Sequence, residues 1–148
     1  MNAVVKALVL TLVLVFFASC EAENKNEQWD RQDLKTITIN VIKTGPTYFF
    51  PGITGRDLKT GEYADGISAQ TTMVMDKLKS ALDELGLNWS NVVKMTVYIT
   101  DMKEKSKMND VYFSYFEGYE KPSRVCVEAG LEGDALVEMD MIAVKAAK

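Results

Sequence analysis

Ile37, Ile39 and Val41 alternate with Thr and Asn across TITINVIK (residues 36–43), a period of two that predicts a half-buried strand. TGP at 44–46 supplies a turn, and TYFFPGI (47–53) predicts a second strand, so that the two form a hairpin. KTGE at 59–62 is a further turn. From Asp65 the period becomes helical: Ile67, Val74, Met75, Leu78, Ala81, Leu82 and Leu85 fall on one stripe, and Gly86 sits at the stop position. NVVKMTVYIT (91–100) returns to alternation, with Val93, Met95, Val97 and Ile99 on one face and Val92, Lys94, Thr96 and Tyr98 on the other. That second face is half apolar, which predicts that it too is covered. DMKE (101–104) fits a capping box, Asp101 taking an orphan amide and Glu104 reaching back. A second helix follows, striped by Met108, Val111, Tyr112, Tyr115 and Phe116 and ended by Pro122; SRVCVEA (123–129) and ALVEMDMIAVKA (135–146) predict two closing strands. The order β-β-α-β-α-β-β with short connections predicts an α/β (α+β) domain of two layers, one sheet with two helices on one face.

The first twenty residues follow a different pattern. MNAVVKALVLTLVLVFFASC places Lys6 before an apolar run from Ala7 to Phe17 and small residues before Cys20. The run falls short of the ~20 residues of a membrane span and has the proportions of a secretory signal. Phe17-Ala18-Ser19-Cys20 resembles a bacterial lipobox, so the expected organisation is a signal peptide at 1–19, a lipidated Cys20 with a polar tether at 20–35, and a folded domain at 36–148. Cleavage near Ala22, or an uncleaved N-terminal helix, are the alternatives. Each places the domain outside the cytoplasm or facing away from it. The expected location is therefore that of an exported, membrane-anchored lipoprotein facing the periplasm or the cell surface, attached through Cys20.

Composition narrows the chemistry. The 148 residues suffice for one domain with a sizeable core, and the net charge of −4 supplies no basic field for a nucleic-acid backbone. Histidine is absent, which removes Ser-His-Asp and Cys-His nucleophiles, imidazole metal sites and the usual near-neutral acid or base. No metal and no cofactor is expected, and chemistry falls to carboxylates, Arg, Lys, Tyr, Cys or backbone. The two cysteines, Cys20 and Cys126, exclude a disulfide framework.

One strand carries charges where a core strand should not. Alternation puts Arg124, Cys126 and Glu128 on one face and Val125 and Val127 on the other, with the valines expected toward the helices. The last strand sorts Val137, Met139, Met141 and Ala143 from Leu136, Glu138, Asp140 and Ile142, so the two strands, taken as neighbours, present carboxylates on a single face. On a solvated face an ion pair there contributes only ~0 to 1 kcal/mol. On a covered face an unpaired guanidinium costs several kcal/mol, and Arg124 then requires Glu128, Glu138 or a ligand carboxylate. The residues alone leave both the structural pair and the ligand clamp open.

PSRVCVE followed by LVEMDMIAV resembles the closing signature of the Rid family (RidA/YjgF), and PGITGRDLKTGE, VVKMTVYITDM and MNDVYFSYF resemble three further pieces in order and spacing, covering about residues 37 to 146. The resemblance implies a chorismate-mutase-like (YjgF-like) fold assembled as a homotrimer, with pockets between subunits that bind small imino or keto acids. It further implies that Arg124 pairs with the substrate carboxylate and that Glu138 helps hold the water that hydrolyses a 2-imino or enamine acid to a 2-keto acid and ammonia. The backbone at Cys126 and Gly52 is implied to line the same pocket. The chain departs from the pattern at Pro51, where the family's deaminases carry serine, and at Thr38, where the count back from Gly52 expects tyrosine. A non-catalytic small-ligand-binding trimer is the alternative function.

Overall fold

Thr44 pairs with Thr47 across Gly45-Pro46, with Gly45 at φ +53°, and this two-residue turn joins β2 (Asn40–Thr44) to β3 (Thr47–Thr54) as the expected hairpin. The structure, a computed structural model, describes residues 29–34 and 40–145. Its other elements are β1 (Asp30–Asp33), α1 (Gly66–Glu84), β4 (Val92–Ile99), α2 (Lys105–Ser114), β5 (Ser123–Glu128) and β6 (Val137–Val144). The sheet runs β1-β2-β3-β6-β4-β5, antiparallel except for the pair β4 and β5. That parallel pair demands a crossover, and α2 supplies it.

The helical stripe of α1 is buried as its spacing predicts, Val74, Met75, Leu78 and Ala81 being fully inaccessible. Gly86, at φ +65°, ends the helix, and the Leu87 amide donates back to the Leu82 carbonyl at 2.8 Å. The stripe packs on Tyr48, Phe50, Ile53, Met95, Val97, Ile99, Val137, Met139, Met141 and Ala143, joined by Met108 and Tyr112 of α2. Both helices therefore cover one face of the sheet, as the two-layer expectation requires. Asp101 Oδ1 does take an amide, that of Lys103 at 2.9 Å, but Glu104 turns to Lys107 (2.9 Å) instead of reaching back.

Three features departed from the periodicity. β1 has no apolar alternation, holds four residues, and exists through its backbone pairing with β2 from Asp30↔Lys43 to Asp33↔Asn40. In β4 the register passes from Val92↔Ala143 to Lys94↔Ile142, which makes Val93 the extra residue of a bulge. Val92 is consequently buried and Val93 is 47% exposed, the reverse of strict alternation. In β3 the register breaks between Phe50 and Ile53, and Pro51 and Gly52 occupy that irregularity. A proline without an N–H is tolerated inside a sheet only at such a break.

Gln70, only 2% exposed, fastens α1 to the approach of β6: its amide nitrogen donates to the carbonyls of Ala64 (3.1 Å) and Asp134 (3.0 Å), and its oxygen accepts from the Leu136 amide (2.8 Å). Gly55 lies against the same residue, and a Cβ there would stand 2.7 Å from the Gln70 Cβ and 2.8 Å from its Cα. Because backbone cannot yield cheaply, Gly55→Ala is expected to destabilise the fold by about 1–3 kcal/mol. Urea unfolding followed by circular dichroism measures it.

The expectation of an exported, membrane-anchored lipoprotein held through Cys20 is corrected. Among the described residues no helix is long and apolar enough to cross a membrane. The longest of them, α1, has 19 residues and carries Asp76, Lys77, Lys79, Asp83 and Glu84. Residues 1–20 and Ala22, on which the leader and the lipid attachment were placed, lie outside the described residues, as does Thr38. The homotrimer is corrected likewise: the structure is that of a single chain, and nothing in it supports three.

Candidate functional site

Arg124 stands opposite Met95 in the parallel pair, with Cys126 opposite Val97 and Glu128 opposite Ile99. Residues directly opposed on neighbouring strands point to the same face. Met95, Val97 and Ile99 are fully buried beneath the helices, so Arg124, Cys126 and Glu128 lie on the helix side. Val125 and Val127 point the other way and are 43% and 38% exposed. This reverses the expected orientation of the strand. The neighbour of β5 is β4 rather than β6, and β5 is the edge of the sheet, where helix cover is thin enough for a long cationic side chain to lie across it.

α2 receives that side chain. The Arg124 Nη1 donates to Asn109 Oδ1 at 2.8 Å, and the guanidinium carbon sits 4.5 Å from the Tyr112 ring centroid and 4.9 Å from that of Phe113. Asn109, Tyr112 and Phe113 are spaced i, i+3, i+4, so one helix face offers an acceptor and two π-surfaces together. The Tyr112 hydroxyl, which donates to Met95 Sδ at 3.4 Å, is pushed up to about 12 by burial, with the Arg124 charge pulling the other way. The Lys121 ammonium lies 4.7 Å from the Phe113 centroid, and a hollow of about 480 Å³ opens beside it, lined in part by Asn109, Phe113 and Lys121.

Neither internal carboxylate weighed for Arg124 is its partner. Glu128 Oε2 accepts from the Met102 amide at 2.8 Å, at the turn that leads into α2. Glu138 sits opposite Thr54 and Tyr98 and alternates with the buried Val137 and Met139, which places it on the open face of the sheet. Among the described residues no carboxylate forms an ion pair with Arg124; the pairs formed are Lys79–Asp83 and Lys107–Glu104. The guanidinium is thus oriented by a neutral acceptor and two rings, with its charge unspent.

Glu138 has its own neighbour. A Cβ at Gly52 would lie 1.9 Å from Glu138 Oε1, so the carboxylate lies across the space that the missing side chain leaves at the break in β3. Two residues further along the same face, the Tyr98 hydroxyl donates to Asp140 Oδ2 at 3.2 Å, and the Asp140 charge raises the Tyr98 hydroxyl above its ordinary value. The structure therefore unites Gly52 with Glu138 on the open face and Arg124 with Cys126, a half-buried free thiol, on the helix face. Arg124 and Glu138 of one chain thus face opposite sides of the sheet.

The residues alone drew attention to Arg124, and the family resemblance added Glu138, Cys126 and Gly52; Asn109, which lies in the MNDVYFSYF piece and in line with Tyr112 and Phe113 on one helix face, was given no role. A larger hollow, about 680 Å³, lies away from all of these at the start of α1. Its central polar groups are already bonded, Gln70 by the three contacts above and the Arg56 Nε to the Gly61 carbonyl at 2.7 Å.

Comparison with known proteins bears on these groups. Residues 38–145 match the family model described as Endoribonuclease L-PSP. A RutC family protein of Pyrococcus abyssi is 44% identical over 106 residues, covering 70% of this chain and 83% of the relative. The 2-iminobutanoate/2-iminopropanoate deaminase of Salmonella typhimurium is 34% identical over 92 residues, 60% of this chain and 72% of that protein. The crystal structure of Escherichia coli TdcF with bound serine superposes with a TM-score of 0.68 at 28% identity, covering 72% of this chain and 86% of the other. None of these findings supports a lipoprotein, a signal peptide, an exported location or a homotrimer, and those expectations are withdrawn.

Proposed function

The chain belongs to the Rid family (RidA/YjgF), and from that premise we propose that it binds small carboxylate-bearing metabolites at Arg124 and hydrolyses 2-imino or enamine acids to 2-keto acids and ammonia. The observation that carries this is the carboxylate-free guanidinium of Arg124, set by Asn109 and backed by Tyr112 and Phe113. An Arg fork binds a carboxylate through two parallel charge-assisted bonds, which suits an α-imino acid. Two relatives point the same way: the Salmonella protein is named for the deamination of 2-imino acids, and the TdcF structure holds serine, a small amino acid.

The reaction needs no histidine. A C=N carbon is already electrophilic, so water adds to it, the C–N bond breaks and ammonia leaves with the keto acid behind; positioning accounts for much of the acceleration. Glu138 is the group we assign to holding that water, in the space left by Gly52. It lies on the opposite face of its own sheet from Arg124, so its part in the reaction is decided by substitution. Gly52→Ala tests the pairing: the Glu138 side chain must move while little else does. The expected result is keto-acid release reduced as far as in Glu138→Gln, with a thermal midpoint close to that of the unaltered protein. Wild-type release from Glu138→Gln would remove the residue from the chemistry.

Pro51, which offers neither hydroxyl nor amide proton beside Gly52, favours one second function, a carboxylate-binding protein without turnover. Freshly generated 2-iminobutanoate, with keto-acid release followed against buffer, separates the two. Release no faster than buffer, together with Arg124-dependent binding of 2-oxobutanoate, leaves the binding function alone. RNA cleavage, which the family description names, finds no support in a chain of net charge −4 without histidine.

A further inference from the structure

We propose that Asn109 is a positioning residue for carboxylate recognition, holding the Arg124 guanidinium at one nitrogen while leaving its charge to the ligand; this rests on Arg124 being the carboxylate anchor proposed above. Asn109 Oδ1 accepts from Nη1 at 2.8 Å, and this is the hydrogen bond that the Arg124 side chain makes among the described residues. A guanidinium has five N–H donors, so four remain, enough for a two-point grip on a carboxylate. The Tyr112 and Phe113 rings at 4.5 and 4.9 Å occupy the surroundings of the guanidinium, and the Asn109 bond sets which of its edges is turned to the protein. An anion therefore approaches the edge that Asn109 leaves free.

The type of acceptor matters as much as its position. An aspartate at 109 has the same size and would bond the same nitrogen, but with a full charge, and a charge-assisted pair is roughly twice as strong as a bond to a neutral amide. It would satisfy Arg124 internally and repel an incoming carboxylate across a few ångströms. A neutral amide orients the guanidinium without competing for it. Glu128, the acidic residue of the same strand face, is held by the Met102 amide at 2.8 Å, which keeps a second carboxylate from that role.

The test uses the full chain, with 2-oxobutanoate and pyruvate as binding probes and 2-iminobutanoate as substrate, comparing Asn109→Asp, Asn109→Ala and Arg124→Ala with the unaltered protein. In Asn109→Asp the Kd for both probes rises about tenfold or more, KM rises in step, kcat stays within about twofold, and the thermal midpoint holds or climbs because an ion pair has been added. In Asn109→Ala the Kd rises less, since the charge stays available and only its orientation loosens. A residue that merely supported the fold would lose binding and stability together. Asn109→Asp binding the probes as tightly as the unaltered protein, or losing binding only in proportion to a lowered midpoint, overturns the assignment while Arg124-dependent binding stands. Absence of Arg124-dependent binding in the unaltered protein overturns the anchor itself, and the role of Asn109 with it.

Discussion

Arg124→Ala is expected to lower keto-acid release from 2-iminobutanoate at least ~100-fold and to remove measurable binding of 2-oxobutanoate. Hydrogen bonds to charged groups contribute about 1.5–3 kcal/mol each, and 1.4 kcal/mol is a factor of ten, so losing both contacts of the pair, about 3–6 kcal/mol, reaches that range. The fold is expected to survive. Arg124 lies on an edge strand and bonds one helix side chain, so its removal exposes parts of Tyr112 and Phe113 to solvent rather than opening a closed cavity. Arg124→Lys separates charge from shape: it keeps a cation but loses the planar fork, and is expected to retain weak binding, about tenfold or more below the unaltered protein. Calorimetric titration and a coupled keto-acid assay measure both. Full activity in Arg124→Ala would leave the helix face of β5 without a function.

Gln70→Leu is expected to be the most damaging change to stability. The leucine fits the volume, but the Ala64 and Asp134 carbonyls lose their donor and the Leu136 amide loses its acceptor. Each buried group left unsatisfied costs about 1–3 kcal/mol, which would put the total near 3–9 kcal/mol if none found water. The adjoining hollow, which Ala64, Asp134 and Leu136 also line, lets water reach some of them, so the lower end, about 3 kcal/mol, is expected. Against a typical domain stability of about 5–15 kcal/mol this is a large fraction. Chemical denaturation measures it, and a midpoint unchanged from that of the unaltered protein would show that the three bonds contribute nothing net.

Much of the architecture was legible because hydrophobic period is a local property. The stripe from Ile67 to Leu82, the alternation of β6 and the two-residue turn at Gly45-Pro46 each depend on neighbours within a few residues, and each is present. β1 was not legible, since a strand that forms through backbone pairing at a sheet edge needs no apolar alternation. The Val93 bulge was invisible too: one inserted residue changes which side chain is buried, and only the register against β6 reveals it.

The site divides along the same line. The residues alone raised Arg124 as a structural ion-pair partner or a ligand clamp and excluded histidine-based catalysis, and the family resemblance added Glu138, Cys126 and Gly52 as site residues. Tertiary structure decided how they group, since the two alternating sets of β5 are both compatible with a strand and no local rule assigns one of them to the core. Strand order decides: β5 pairs with β4 instead of β6, and its parallel register puts Arg124 over α2 and the valines outward. The contact between Asn109 and Arg124 spans 15 residues of chain through a crossover, and the opposition of Arg124 to Glu138 depends on a third strand between their own. Local sequence determines which residues a strand or helix offers to each of its faces. Which face meets the core is settled only when distant segments pair, because burial free energy belongs to the assembled layers and to no single segment.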